Sequence, residues 1–315
     1  MFLDIFLRVF TIFAILLVGV IANRTKVLPN ESSPYLISLL LNITTPCLTV
    51  YSLMQRKVTD SLKIESIQAL AGTTVMIAVS VLLGFIVVRL FQRGKRPNNG
   101  LLVSIFTSVN CTFMGFPISQ QLFGDTVFYF VVLTNVLFNV FFYGISPIMM
   151  NSGSGARENL KKAGRAFRTP IMISIYIGLF LMITKIKIPE PVTNCVGLIG
   201  DVTVPLSMLV IGVQLGSSHP KAFLKNYKML LFSIVKMLLL PIAMIGFVCL
   251  FPFANDVKTA LALNFVFPVA VATSAIAEQE NNDYHLVAEI VTLTTILSLI
   301  TIPVFATVIK VLFPF

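Results

Sequence analysis

The chain has 315 residues, of which 57% are hydrophobic and only 11% charged. A water-soluble domain is about one quarter charged, so a polar shell for a core of this size cannot be built, and a soluble enzyme or binding module is excluded. The net charge of +10 would point to nucleic acid in a soluble protein, but here the basic residues sit in loops between apolar runs, and no aromatic-plus-basic platform accompanies them.

Apolar runs fall at about 3–23, 33–54, 67–90, 100–123 and 126–150, and five more at about 170–186, 192–216, 227–251, 257–279 and 285–312. Each is long enough to cross ~30 Å of hydrocarbon as a helix. Strict apolar–polar alternation is missing, so helices and not barrel strands are the spanning element. The first run carries Asp4 and Arg8 and lacks a small-x-small cleavage site, so it reads as a retained helix and not a signal peptide. The expectation is an all-α membrane protein of ten transmembrane helices, in a cytoplasmic membrane with lipid as its surroundings.

Between the two sets of five runs lies a basic stretch, 151–169, that reads as a cytoplasmic linker. Loops after helices 1, 3, 5 and 7 hold 14 Lys and Arg, including Arg93, Lys95, Arg96, Arg157, Lys161 and Lys162, whereas the other side holds 8, among them Arg56, Lys57 and Lys63. The positive-inside rule then places both termini outside.

The halves 1–150 and 170–315 resemble one another. At an offset of 159, Asn42, Thr44, Pro46 and Gln55 align with Asp201, Thr203, Pro205 and Gln214. Five helices per half is odd, so the second copy enters the membrane from the opposite side. That is an inverted repeat, common among secondary transporters.

Chemistry-bearing residues are few. The fourth run contains Asn110-Cys-Thr-Phe-Met-Gly-Phe-Pro117, with Gly115 inside it, and the ninth contains Asn264-Phe-Val-Phe-Pro268. Proline removes a helical hydrogen bond and disfavours helix at the residue before it. Two readings follow: a pair of simple kinks, or two broken helices whose free N–H groups at mid-membrane suit a carboxylate. On the second reading Asn110 and Asn264 add side-chain donors, and Thr45 and Gln214 face the same cavity. Asp201, inside run seven, is either a buried structural carboxyl or a proton carrier or latch, with Lys236 either its partner or a charge that reaches to an interface. Glu289 stands among apolar neighbours and has the same two readings. Cys47, Cys111, Cys195 and Cys249 are unpaired in sequence and read as small packing residues, and neither a metal site nor a cofactor nor an enzyme motif is present.

Taken together these segments resemble the auxin efflux carrier family, which includes plant PIN-type carriers and bacterial malate and malonate permeases. The resemblance rests on the Asn110–Pro117 segment, on Thr45-Pro-Cys-Leu, where Thr stands in place of Asn, on Pro205-Leu-Ser-Met-Leu-Val-Ile-Gly, and on Phe267-Pro-Val-Ala with the later Thr294–Pro303 segment. It implies broken helices 4 and 9 crossing near Pro117 and Pro268. It implies a scaffold of helices 1, 2, 6 and 7, often dimeric, and a mobile unit of helices 3–5 and 8–10 in an elevator-type carrier. The short linker brings the chain nearer to the bacterial dicarboxylate permeases. The expected function is secondary transport of a small organic anion, malate or malonate in class, driven by protons or by the anion's own charge, with sodium not excluded. The alternatives are a carrier of auxin-like or other monocarboxylates and, from another class, a non-transporting receptor or scaffold.

Overall fold

In lipid, backbone groups must find partners within the protein, and a chain this apolar does so by forming helices. The computed structural model describes residues 2–56, 58–91, 99–150, 164, 167–217 and 227–314, and every regular element among them is helical. Most of the basic linker 151–169, the Arg93–Arg96 cluster and Lys57 lie outside the described residues, as do the side chains of Asp4 and Arg8.

Helix α1 covers Phe2–Arg24. The second crossing is α2 (Ser33–Leu39) and α3 (Thr45–Met54), joined by a π-turn at Leu40–Thr44. The third is α4 (Asp60–Phe91), which begins well before the apolar run at 67 because its first turns are polar. The fourth and fifth are α5 (Asn99–Thr107), a π-turn (Cys111–Gly115), α6 (Phe116–Val140), a second π-turn (Phe141–Ile145) and α7 (Ser146–Met150). Within α6 the chain reverses at Gly124, whose φ of 79° and ψ of −178° only glycine tolerates easily, and this residue separates crossing four from crossing five. The second half comprises α8 (Pro170–Thr184), α9 (Glu190–Asp201), α10 (Thr203–Ser217) and α11 (Tyr227–Val248). It ends with α12 (Asn255–Asn264), α13 (Thr273–Gln279) and α14 (Tyr284–Leu312).

Among the described residues six segments are long and apolar enough to span a bilayer, one of them the 52-residue stretch Asn99–Met150, and shorter apolar helices occur at Phe10–Arg24 and Pro170–Thr184. The outer surface is apolar as a lipid-facing surface must be: Leu82 is 60% and Ile300 72% exposed. The interior holds the polar groups, chiefly Ser, Thr and Asn.

The helices pack in two groups. One contains α1, α2–α3, α8 and α9–α10, and the other α4–α7 and α11–α14. Within the first, α1 and α10 touch backbone to backbone: a Cβ on Gly212 would lie 2.1 Å from the Leu16 carbonyl oxygen, and one on Gly19 would lie 2.5 Å from that of Leu209. Between helices in lipid, such close approach supplies packing that hydrophobicity cannot. The second group is filled by aromatic rings, with Phe116 edge-on to Phe128 and Phe106 edge-on to Phe232. Loops meet at two ends. At one, Arg56 donates to Thr126 Oγ1 (3.3 Å), Lys310 to the Leu122 carbonyl (3.2 Å) and Asn255 to the Pro314 carbonyl (2.7 Å). At the other, Asn282 donates to the Met150 carbonyl (3.0 Å).

Candidate functional site

Two crossings are broken, and the breaks touch. In crossing four the helix stops at Thr107 and resumes at Cys111, while in crossing nine it stops at Asn264 and resumes at Thr273. Asn110 N–H donates to the Pro268 carbonyl at 2.8 Å, and the hydroxyls of Ser108 and Thr273 are hydrogen-bonded at 2.9 Å. The break in crossing four lies several residues before Pro117, which stands where the π-turn Cys111–Gly115 passes into α6. Pro268 lies in the non-helical link itself. Gly115 has ordinary helical dihedrals, φ −66° and ψ −46°. Its role is steric: a Cβ there would meet the Phe267 ring at 2.8 Å.

Asn110 does two things. Its Oδ1 accepts from Phe113 N–H at 3.2 Å, capping the new helix. Its Nδ2 has no partner, although the residue is only 4% exposed. Buried polar groups are as a rule hydrogen-bonded, so a lone amide of this kind calls for an explanation. The N–H groups of Cys111 and Thr112, in the first turn, likewise have no acceptor among the described hydrogen bonds. All three residues line a cavity of about 70 Å³. The opposite walls are Phe138, Phe141, Phe142 and Tyr143, with Leu41 and Ile171 from the first helix group closing it. The cavity therefore lies on the boundary between the two groups. Asn135 and Asn139, one turn apart on α6, complete its polar lining; Asn135 donates to Thr112 Oγ1 (3.4 Å) and Asn139 to the Asn135 carbonyl (2.8 Å).

Asn264 is not part of this lining. Fully buried, it donates to Thr134 Oγ1 at 2.9 Å and lies 3.7 Å from Cys111 Sγ, tying crossing nine to crossings four and five. Thr45 and Gln214 do not line the cavity either; Thr45 is fully buried with an unpartnered hydroxyl and Gln214 is half-buried. Pro46 and Pro205 each occupy the first turn after an interruption, the π-turn before α3 and the turn at Val202 before α10.

The supposed Asp201–Lys236 pair does not form. Asp201 ends α9 on the exposed surface, whereas Lys236 is 1% exposed and donates to the Ser108 carbonyl at 2.8 Å. Its burial also excludes reaching to an interface. Glu289 is half-buried in the second turn of α14 with Oε1 unpartnered, away from the cavity. The four cysteines are free, with Cys111 buried and Cys195 and Cys249 exposed. No group of three or more His, Cys, Asp or Glu able to hold a metal occurs among the described residues. Asn135 and Asn139 escaped the sequence reading, although two Asn at i and i+4 inside an apolar run are a signal for a polar stripe turned inward.

An all-helical, multi-pass fold with a small, mostly apolar cavity at paired helix breaks is an arrangement that membrane transporters use. The chain matches the membrane transport protein family over residues 4–306 and belongs to it; this is the family of auxin efflux carriers and malate and malonate permeases, whose members move solutes and are not catalytic. It is also similar to an uncharacterized transporter of Methanothermobacter thermautotrophicus, with 21% identity over 304 residues that cover 95% of this chain and 97% of that protein.

Proposed function

We propose that the protein is a secondary carrier of a small organic anion, which binds at the Asn110 break with its carboxylate on Asn110 Nδ2 and the N–H groups of Cys111 and Thr112. The observation that carries this reading is the unpartnered, buried Asn110 amide on a cavity wall. Donors at a helix start offer a carboxylate fixed partners and a favourable dipole where water is scarce.

The shape of the cavity bears on the substrate class. Its volume of about 70 Å³ is room for only about five waters. Asn110 and the N–H groups of Cys111 and Thr112 supply its donors, and the rings of Phe138, Phe141, Phe142 and Tyr143 make much of the rest of its lining. A second carboxylate would have those rings for neighbours. The geometry thus favours a compact monocarboxylate with an apolar body over a dicarboxylate, while the resemblance to malate and malonate permeases favours the latter. Packing in two groups with the cavity on their boundary supports alternating access by movement of α4–α7 and α11–α14 against α1–α3 and α8–α10, built as two inverted repeats. The cavity is lined by the end of crossing five and the start of crossing six, so with the basic loops inside it faces the cytoplasm, and both termini lie outside.

Uptake of labelled butyrate, benzoate, malonate and malate into proteoliposomes tests the reading. Benzoate or butyrate is expected to be carried in preference to the dicarboxylates. Preference for malonate or malate returns the substrate to the dicarboxylate class, and no flux of any of the four under any gradient removes the carrier reading in favour of a receptor or scaffold.

A further inference from the structure

The buried amine of Lys236 has no role in the binding geometry above. Lys236 is the one charged side chain among the buried residues described. An ammonium offers three donors, and a single acceptor, the Ser108 carbonyl, is described for it. Neither does a carboxylate face it: the ion pair described in the structure is Lys63 with Asp60, at the surface. An amine that takes up a proton in a low-dielectric interior without a counter-ion does so at a high cost, which an anion bound nearby would offset.

The place it occupies is suited to a cation. Ser108 follows the last turn of α5, where helix carbonyls lack intrahelical partners and the dipole is negative. Two further oxygens, Thr107 Oγ1 next to it in the chain and Ser233 Oγ one turn before Lys236, are buried without partners. At this helix end the protein's own nitrogen takes the carbonyl. Ser108 also lines the anion cavity and is two residues from Asn110, a chain distance of at most about 7 Å.

We propose that Lys236 is the counter-charge of the transported anion. Its ammonium replaces a cotransported cation, so the loaded carrier crosses the membrane electrically neutral and the empty carrier returns with the charge. The inference rests on the anion reading of the cavity. At about 8 Å and an effective dielectric near 20, the attraction is worth about thirty-fold in affinity.

The test uses the purified full chain and benzoate. Lys236→Met, which keeps the length and removes the charge, is expected to bind benzoate about thirty-fold more weakly by calorimetry, and Lys236→Arg to restore most of the loss. In proteoliposomes of the wild-type protein, net benzoate uptake should follow an imposed membrane potential, benzoate–benzoate exchange should ignore it, and replacing sodium by choline should change neither. The exchange measurement needs no variant, so a Lys236→Met protein that fails to fold leaves the proposal exposed. Exchange that responds to potential, uptake that requires sodium, or a folded Lys236→Met protein with wild-type affinity each overturns it. In the last case the Asn110 site stands; if the wild-type protein neither binds nor carries benzoate, the site reading falls and takes this proposal with it.

Discussion

On the proposed reading Asn110 combines a structural and a binding role in one side chain, and the two can be separated by substitution. Oδ1 caps the helix through Phe113 N–H at 3.2 Å, and Nδ2 faces the cavity unpartnered. Serine is as good an N-cap as asparagine but has no amide to extend into the cavity. Asn110→Ser should therefore leave thermal stability within about 0.5 kcal/mol of wild type, while removing one hydrogen bond to a charged ligand, a loss of about 1.5–3 kcal/mol or roughly ten- to 150-fold in affinity. Asn110→Ala removes the cap as well and should destabilise by a further ~1 kcal/mol. Calorimetric titration with benzoate, paired with thermal unfolding in the same detergent, reads both quantities. The reasoning is refuted if Asn110→Ser binds as wild type does, or if affinity falls only in step with stability across the two variants.

Other substitutions probe the supports of the site. Asn264→Ala should act on stability first, by about 1–3 kcal/mol, because it strands the partners of a fully buried amide; an affinity loss larger than that of Asn110→Ser would return Asn264 to the binding site. Gly115→Ala forces a Cβ into the Phe267 ring at 2.8 Å and should cost about 1–3 kcal/mol in thermal unfolding, with wild-type stability showing that the two breaks do not press together there. For topology, a cysteine at Asn255, in a background with Cys195 and Cys249 replaced, should react with an impermeant thiol reagent from outside intact cells; protection outside and labelling only after permeabilisation would invert the orientation.

The fold was largely legible because its causes are local. Runs of apolar residues long enough to span hydrocarbon set the crossings, and Asn and Pro inside two of them pointed to the breaks. The sequence reading set the break of crossing four along Asn110–Pro117, and the structure puts the non-helical residues at its start: helix resumes at Cys111, and Pro117 lies downstream, where the π-turn passes into α6. The interruption belongs to Ser108–Asn110, where Asn110 leaves helical geometry at φ −86° and ψ 63° and gives its N–H to Pro268. That bond joins residues 158 positions apart (268 − 110), and no pattern within either segment encodes it.

The two Asn residues singled out in the sequence have different surroundings in the structure. Asn110 could be picked out as an amide next to a break, but the corresponding Asn264 differs in what surrounds it. Its side chain meets Thr134, and so the same residue type at a similar sequence position becomes a tie between helices instead of a ligand donor. Charge was the least legible quantity. A lysine inside an apolar run can extend to an interface, pair with a carboxylate or sit buried on a carbonyl, and its sequence neighbours are the same in all three cases. What decides among them is whether an unsatisfied carbonyl lies within reach, and at Lys236 that carbonyl, Ser108, exists only because crossing four is broken beside it. The break thus creates two opposite ends at one place: free N–H groups that suit an anion, and free carbonyls that suit a cation. In this chain the second end is taken by the protein's own Lys236, and on the proposed reading the first receives the solute.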